Sequence, residues 1–266
     1  MADYSIFLGT VGEGLHISRD GGGSWALSVS SEPPPSSVAG LEGNVRALAV
    51  YPDNPRRLLA GTDLWGLYRS EDNGQTWEPV PSAAEGYKDA RSPVEIWSLA
   101  IDPEDTETIY VGTRPNGFRT RDGGATWDEL TFADPSAPLW PPRTTVMVVD
   151  PRDHRTVWAG AEVDGVHRSV DGGDTWERRA ELGPELFYND VHCMGIRNGA
   201  GTVLHATSPM GFATSTDDGG SWNVHKFAPL DDHSGHSYCR CMVINPNDPD
   251  MIFVGTGDTI PGSTGD

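Results

Sequence analysis

Two sets of residues recur about every fifty positions along the chain, and their types could do chemistry. One set is Arg46, Trp97, Thr145, His192 and Arg240; the other, two positions earlier each time, is Asn44, Glu95, Arg143, Asp190 and Tyr238. Arginines can hold a carboxylate through paired N–H donors. His192 beside Asp190 suits general acid or base work near neutral pH. Glu95, Asp190, Glu162 and Asp164 offer the two carboxylates that glycoside hydrolysis needs. Trp65, Trp97, Trp140, Arg91 and Arg143 are the residue types that anchor ligands. The candidate catalytic residues are therefore Glu95, Asp190, His192 and Tyr238. The candidate ligand-binding residues are Arg46, Trp65, Trp97, Arg114, Arg143 and Arg240.

The elements that must position them are short apolar strands. Aligned on their closing turns, these strands carry Leu48/Val50, Leu99/Ile101, Met147/Val149, Met194/Ile196 and Met242/Ile244 at alternate positions, one face each, expected to pack between sheets. Continued along that face, the residues become polar, and the two recurring sets appear. This switch predicts a channel mouth where Arg143, Arg240, Glu95, Asp190, His192 and Tyr238 converge on a small polar ligand, anionic or sugar-like. The competing expectation is a wet channel whose charges satisfy one another. Other loops add Asp63, Trp65, Arg114, Asn116, Glu162, Asp164 and Met210 to the same rim.

No cofactor is expected. The one opening for a divalent metal is the run Asp231-Asp232-His233-Ser234-Gly235-His236, whose Asp231, His233 and His236 could act with His192. Cys193 and Cys241 occupy equivalent positions, where Ala47, Ser98 and Val146 stand elsewhere, and read as small buried filler.

The strands belong to a repeat. Five octapeptides superimpose without gaps: Ser18–Trp25, Ser70–Trp77, Thr120–Trp127, Ser169–Trp176 and Ser215–Trp222. They share [S/T]-x-D-x-G-x-[S/T]-W, and the tryptophans are spaced 52, 50, 49 and 46 residues apart. That period suits one four-stranded propeller blade per repeat. In such a hairpin turn the Asp accepts backbone N–H groups of its own turn, Gly permits positive φ, and the Trp ring fills space between strands. Each blade then reads as strand A (apolar, innermost), strand B (ending Gly-Thr or similar), strand C (entering the box) and strand D (leaving it). The D–A and B–C loops share one end of the blade, and the boxes lie at the other, which makes the box aspartates structural.

On these octapeptides and their flanking strands, the chain resembles the sialidase/BNR Asp-box superfamily: sialidases, xyloglucanase-type glycosidases, sortilin-type receptors and photosystem assembly factors. The resemblance implies an all-β propeller of four-stranded antiparallel blades. It also implies Asp boxes remote from any active site. Sialidases use three arginines, a Tyr–Glu nucleophile pair and an Asp acid/base. The positions here similar to those are Arg46, Arg143 and Arg240, then Tyr238 or Tyr188 with Glu95, and Asp190. The (F/Y)-R-I-P segment of sialidases is absent; Pro141-Pro142-Arg143-Thr144 lacks its pattern.

Strand B occurs six times, strand A five times and the box hairpin five times. The expectation is a six- or seven-bladed ring, truncated at its C-terminal end or completed by a second chain. A closed five-bladed ring with a surplus strand is the alternative, and self-association follows from the first reading. A formal charge of −20 argues against nucleic acid and anionic membrane surfaces as partners. No signal-like leader precedes the first strand, and three cysteines make no disulfide framework, so a cytoplasmic protein is expected. The leading functional expectation is a sialidase- or glycosidase-like hydrolase acting on a small polar or carbohydrate-like ligand. The alternative is a non-catalytic binding or assembly module.

Overall fold

The computed structural model describes residues 4–28, 41, 43–63, 66–81, 95–114, 116–136, 141–197, 202–228 and 238–257. The chain forms two compact units, Met1–Leu130 and Thr131–Asp266.

The first unit holds three sheets. One has three strands, β1 (Ile6–Gly9), β2 (Leu15–Ser18) and β3 (Ala26–Ser28). Two have four: β4 (Val45–Val50), β5 (Leu58–Thr62), β6 (Leu67–Ser70) and β7 (Glu78–Pro79), then β8 (Ser98–Ile101), β9 (Ile109–Gly112), β10 (Gly117–Thr120) and β11 (Asp128–Leu130). The second unit holds β12 (Thr144–Val149), β13 (Val157–Ala161), β14 (Gly165–Ser169) and β15 (Glu177–Arg178) in one sheet. A further sheet is β16 (Cys193–Arg197), β17 (Val203–Ser208), β18 (Gly211–Ser215) and β19 (Asn223–His225), and the last is the pair β20 (Tyr238–Ile244) and β21 (Ile252–Gly257). Each strand pairs antiparallel with its chain neighbour. This is the meander of a propeller blade, with strand roles A to D as the sequence predicts. No α-helix occurs among the described residues; Leu186–Tyr188 forms a single 3-10 turn. No helix there is long and apolar enough to cross a membrane.

The boxes fold alike. In Thr120–Trp127, Asp122 accepts the Thr126 N–H at 2.8 Å and both the Thr120 and Thr126 hydroxyls, while the Thr120 hydroxyl oxygen accepts the Gly124 N–H at 2.8 Å. The same bonds recur around Asp20, Asp72, Asp171 and Asp217. The tryptophans do more than fill space. Trp127 donates its indole N–H to Pro81 O and Trp222 to Ala180 O, each at 3.0 Å and each in the neighbouring sheet's chain, so these two boxes staple blade to blade, while Trp176 bonds Gly173 O of its own turn.

The glycine ending strand B has a packing reason. A methyl group on Gly61 would collide with Ile96, and one on Gly160 with Val191. Ile96 and Val191 immediately precede Trp97 and His192, and both are fully buried. The glycine thus seats the residue that leads into the next strand A.

Strand A then bulges at the predicted polar position. Val45 pairs with Thr62 and Ala47 with Gly61, which leaves Arg46 extra; Thr145 and Arg240 are extra in the same way. Trp97 N–H donates to Gly112, already the partner of Ser98, and His192 N–H to Thr207, the partner of Cys193. A β-bulge re-aims the side chain of its extra residue. The recurring set Arg46, Trp97, Thr145, His192 and Arg240 is therefore a set of bulge residues, which simple strand alternation does not describe.

Two packing expectations need correction. Leu48 and Val50 are 37% and 55% exposed. Among the described residues the sheet beside them has the strands β1–β3 and no strand A facing β4, and the two residues instead line a half-open apolar cavity of about 310 Å³ with Ile6, Phe7 and Trp77. Among the cysteines, Cys239 is the buried one; Cys193 is half-buried and Cys241 exposed, because β20 is packed by β16 on one side and its sheet has two strands among the described residues.

Candidate functional site

In the second unit the D–A loop before β16, the B–C turn after β13 and the start of β20 carry the candidate groups. Tyr238 hydroxyl lies 3.0 Å from His192 Nε2, with the rings 4.9 Å apart. His192 Nδ1 faces the Cys239 carbonyl at 3.3 Å. A carbonyl only accepts, so Nδ1 carries the proton in the neutral ring and Nε2 accepts from the Tyr238 O–H. Arg240 Nη1 in turn donates to the Tyr238 oxygen at 3.3 Å. Arg240, Tyr238 and His192 thus form one directed chain of hydrogen bonds that ends on the Cys239 carbonyl.

Asp190 stands beside this chain. Its Oδ1 is 3.4 Å from His192 Nε2, beyond good hydrogen-bond reach, and that nitrogen is already engaged by Tyr238. Asp190 is 8% exposed, and its Oδ1 has no hydrogen-bond donor among the described residues. We therefore read the contact as electrostatic proximity. Burial pushes the Tyr238 phenol above its ordinary range; Arg240 opposes the shift, and the charges of Asp190 and Glu162 add to it. Both carboxylates are thus close enough to be felt at Tyr238, which keeps its proton at neutral pH. Glu162 is held by Arg143 through a 2.9 Å ion pair and by its own N–H to the Arg143 carbonyl at 2.8 Å.

The outer side of the same loops encloses a polar cavity of about 350 Å³. Asp164, next but one to Glu162, is 2% exposed at its wall and bonds His167 Nε2 at 3.0 Å and the Asp134 N–H at 3.1 Å. Val163, between Glu162 and Asp164, has φ 54°. That is a costly conformation for a β-branched residue, so the turn is imposed by its surroundings.

In the first unit a second network forms. Arg46 Nε donates to Asp63 Oδ1 at 2.8 Å and stacks over the Trp97 ring at 4.4 Å; Trp97 Nε1 donates to Glu95 at 2.8 Å, and Asn44 bonds the other Asp63 oxygen. Glu95 is thus tied to Trp97, in a different unit from Arg143, Asp190, His192, Tyr238 and Arg240. Arg46 and Arg143 each face a carboxylate already. Asp63, read from sequence as a rim residue, and Glu162, read as a rim residue and a candidate carboxylate, are their partners; the signal that could have found the pairing is their position just past each Gly-Thr or Gly-Ala end of strand B. Tyr188 packs in the core with Trp158 and Val191, with the Lys226 ammonium over its ring. Arg114 lies half-buried after β9. Trp65, Arg91, Trp140, Asp231, His233 and His236 lie outside the described residues. Among the described residues no cluster of three His, Cys, Asp or Glu side chains is arranged to hold a metal.

A BNR/Asp-box repeat model matches residues 68–79, the β6–β7 hairpin with its box. The chain is 26% identical over 263 residues to a probable oligoxyloglucan-reducing end-specific xyloglucanase of Neosartorya fischeri, covering 96% of this chain and 29% of that protein. It is 32% identical over 164 residues to a xyloglucanase of Acetivibrio thermocellus, covering 50% of this chain and 19% of that one. The solved GH74 xyloglucanase from Xanthomonas campestris superposes with a TM-score of 0.71 at 17% identity, over 94% of this chain and 40% of that one. At that identity the likeness speaks for the fold, an all-β assembly of propeller blades. The chain spans less than a third of the length of these two curated relatives.

Proposed function

We propose that this Asp-box repeat chain is part of a glycan-active propeller hydrolase, and that its second unit carries a glycan site built on Asp190, Glu162, His192, Tyr238, Arg143 and Arg240. The observation that supports the reading is a buried carboxylate, Asp190, 3.4 Å from His192 Nε2, the atom that also bonds the Tyr238 hydroxyl at 3.0 Å, with a second carboxylate, Glu162, held by Arg143 on the loop after β13. Glycoside hydrolysis uses a pair of carboxylates. The xyloglucanase names of the relatives support a neutral polysaccharide as the substrate class.

The finer sialidase-like reading asks three arginines to grip a ligand carboxylate. Arg46 is paired with Asp63 and Arg143 with Glu162, and Arg240 gives one N–H to Tyr238. That leaves hydroxyl-rich, uncharged ligands as the better match. His192, fixed by Cys239 and Tyr238, orients the phenol; the Arg143 ion pair at 2.9 Å aims Glu162.

The test is to incubate the purified chain with xyloglucan and count new reducing ends, with binding followed by calorimetry. We expect binding, and turnover that falls at least tenfold in Asp190→Asn and in Glu162→Gln. Binding without turnover in the parent protein would select the non-catalytic binding module. A folded chain that neither binds nor cleaves any glycan would overturn the proposal.

A further inference from the structure

We infer that the outer cavity of the second unit is a second sugar-binding subsite, holding a neighbouring unit of the glycan that the Tyr238 site engages. The inference rests on the glycan reading above and adds a place and a chemistry to it. The cavity, about 350 Å³, falls in the size range of small-ligand sites. It shares two of its loops with the inner site, and the loop after β11 adds Asp134 and Ser136. In the B–C turn, Glu162 pairs with Arg143 while Val163 and Asp164 line the cavity; in the D–A loop, Asp190 faces His192 while Asn189 lines the cavity. One chain turn thus presents groups to both places.

The lining mixes the groups that a sugar ring needs. Arg178 spends its Nε on the Asp164 carbonyl at 2.9 Å, and its Nη2 is 4.0 Å from Glu181, so its terminal amines remain available to donate. Glu185 makes no side-chain hydrogen bond among the described residues, and the Ser136 hydroxyl, which donates to Asp134 at 2.7 Å, can still accept. Leu186 adds an apolar face, and Phe187, next in the same turn, is 41% exposed. Sugar hydroxyls donate and accept at once, and their C–H faces pack on such surfaces. An anion is disfavoured: Asp134, Asp164, Glu181 and Glu185 surround a single arginine. A metal is disfavoured too, since no three of these side chains are arranged as ligands.

The wall is held rigidly. Asp164 is fixed by His167, by the Asp134 N–H and by Arg178 at 3.6 Å, and Asn189 uses both ends of its amide on Leu182 N–H and Gly183 O. These residues shape the cavity, and changing them would risk the fold. Glu185 and Leu186 line the cavity, are exposed and serve as the probes.

The experiment is calorimetric titration of the full chain with a single-repeat xyloglucan oligosaccharide and with its two-repeat counterpart, using the parent, Glu185→Ala and Leu186→Ala. The parent should bind the longer ligand at least tenfold tighter. Each variant should lose most of that gain, keep its affinity for the shorter ligand, and keep its melting temperature. Equal affinity of the parent for both lengths, or variants that leave the length dependence intact, would overturn the second subsite while the glycan reading stands. If neither ligand binds the folded parent, both fall together. Tighter binding of a polyamine than of either oligosaccharide would also overturn the inference, by making the cavity a cation site.

Discussion

The two ends of each blade are built by opposite rules. At the box end, five turns use nearly the same eight residues, and each box Asp accepts the same N–H and hydroxyl groups. At the other end, the D–A and B–C loops differ from blade to blade. They hold an Asp190 oxygen with no hydrogen-bond donor among the described residues, a valine at φ 54°, and ion pairs that differ between the units. Closed, repeated hydrogen bonding supports the fold. Uneven, partly satisfied polar groups mark the end where ligands are expected. The difference teaches that repetition in this chain measures structural duty, and departure from repetition measures chemistry.

The comparison predicts that box changes act on stability alone. Thr120→Val keeps the shape but removes the acceptor of the buried Gly124 N–H, so it should cost about 2 kcal/mol in chemical denaturation. Asp122→Ala should also lower the melting temperature, as its turn N–H and hydroxyls lose their acceptor. In both, glycan affinity of the remaining folded protein should equal that of the parent. A lost affinity at unchanged stability would break the division between the two ends.

Acid should open the structure in two windows. His205 is held down to about 4 from 6.5, by burial first and by Arg197 second. The unfolded chain therefore takes up a proton before the folded one does. Stability from this group is complete above pH 6.5 and is lost as pH falls through 4. Asp122, Asp171, Asp217 and Asp20 are held at about 2 from 3.8, chiefly by hydrogen bonds from the box Ser and Thr. Their contribution is complete above pH 3.8 and is lost as pH falls through 2. Melting temperatures measured against pH should show both steps, and His205→Phe should erase the first and leave the second.

Smaller effects sharpen the contrast. Trp222→Phe removes the indole bond to Ala180 and should cost about 1 kcal/mol, with no effect on glycan affinity. Arg240→Ala touches an exposed side chain and should change stability by about 0.5 kcal/mol or less, yet weaken glycan binding at least tenfold. If the stability loss in Arg240→Ala exceeded that in Trp222→Phe, the arginine would be a structural residue.

Much of this was legible in the residues. The octapeptides gave the hairpins and their bonds, because a box is closed within eight residues and its partners are neighbours in the chain. The Gly-Thr ends marked strand B correctly, but their cause is Ile96 or Val191 packing from the next sheet, which no local pattern reveals. The polar set Arg46, Trp97, Thr145, His192 and Arg240 was found by alignment, although its members owe their aim to bulges. Leu48 and Val50 were misjudged because burial depends on what stands opposite, and β4 faces a sheet with three strands among the described residues.

By itself the sequence determined the repeat, the strand order within each blade and the chemistry of the box. All three are set by local hydrogen bonding and by a period that only one kind of sheet accommodates. Tertiary structure decided which polar residues meet. Arg46 with Asp63, Arg143 with Glu162, and His192 with both Asp190 and Tyr238 are contacts whose partners are mostly separated by 17 to 46 residues. Their pairing depends on how a bulge turns one side chain and on which turn lies beside it. Those are properties of packed sheets, and a run of residues read in order does not contain them.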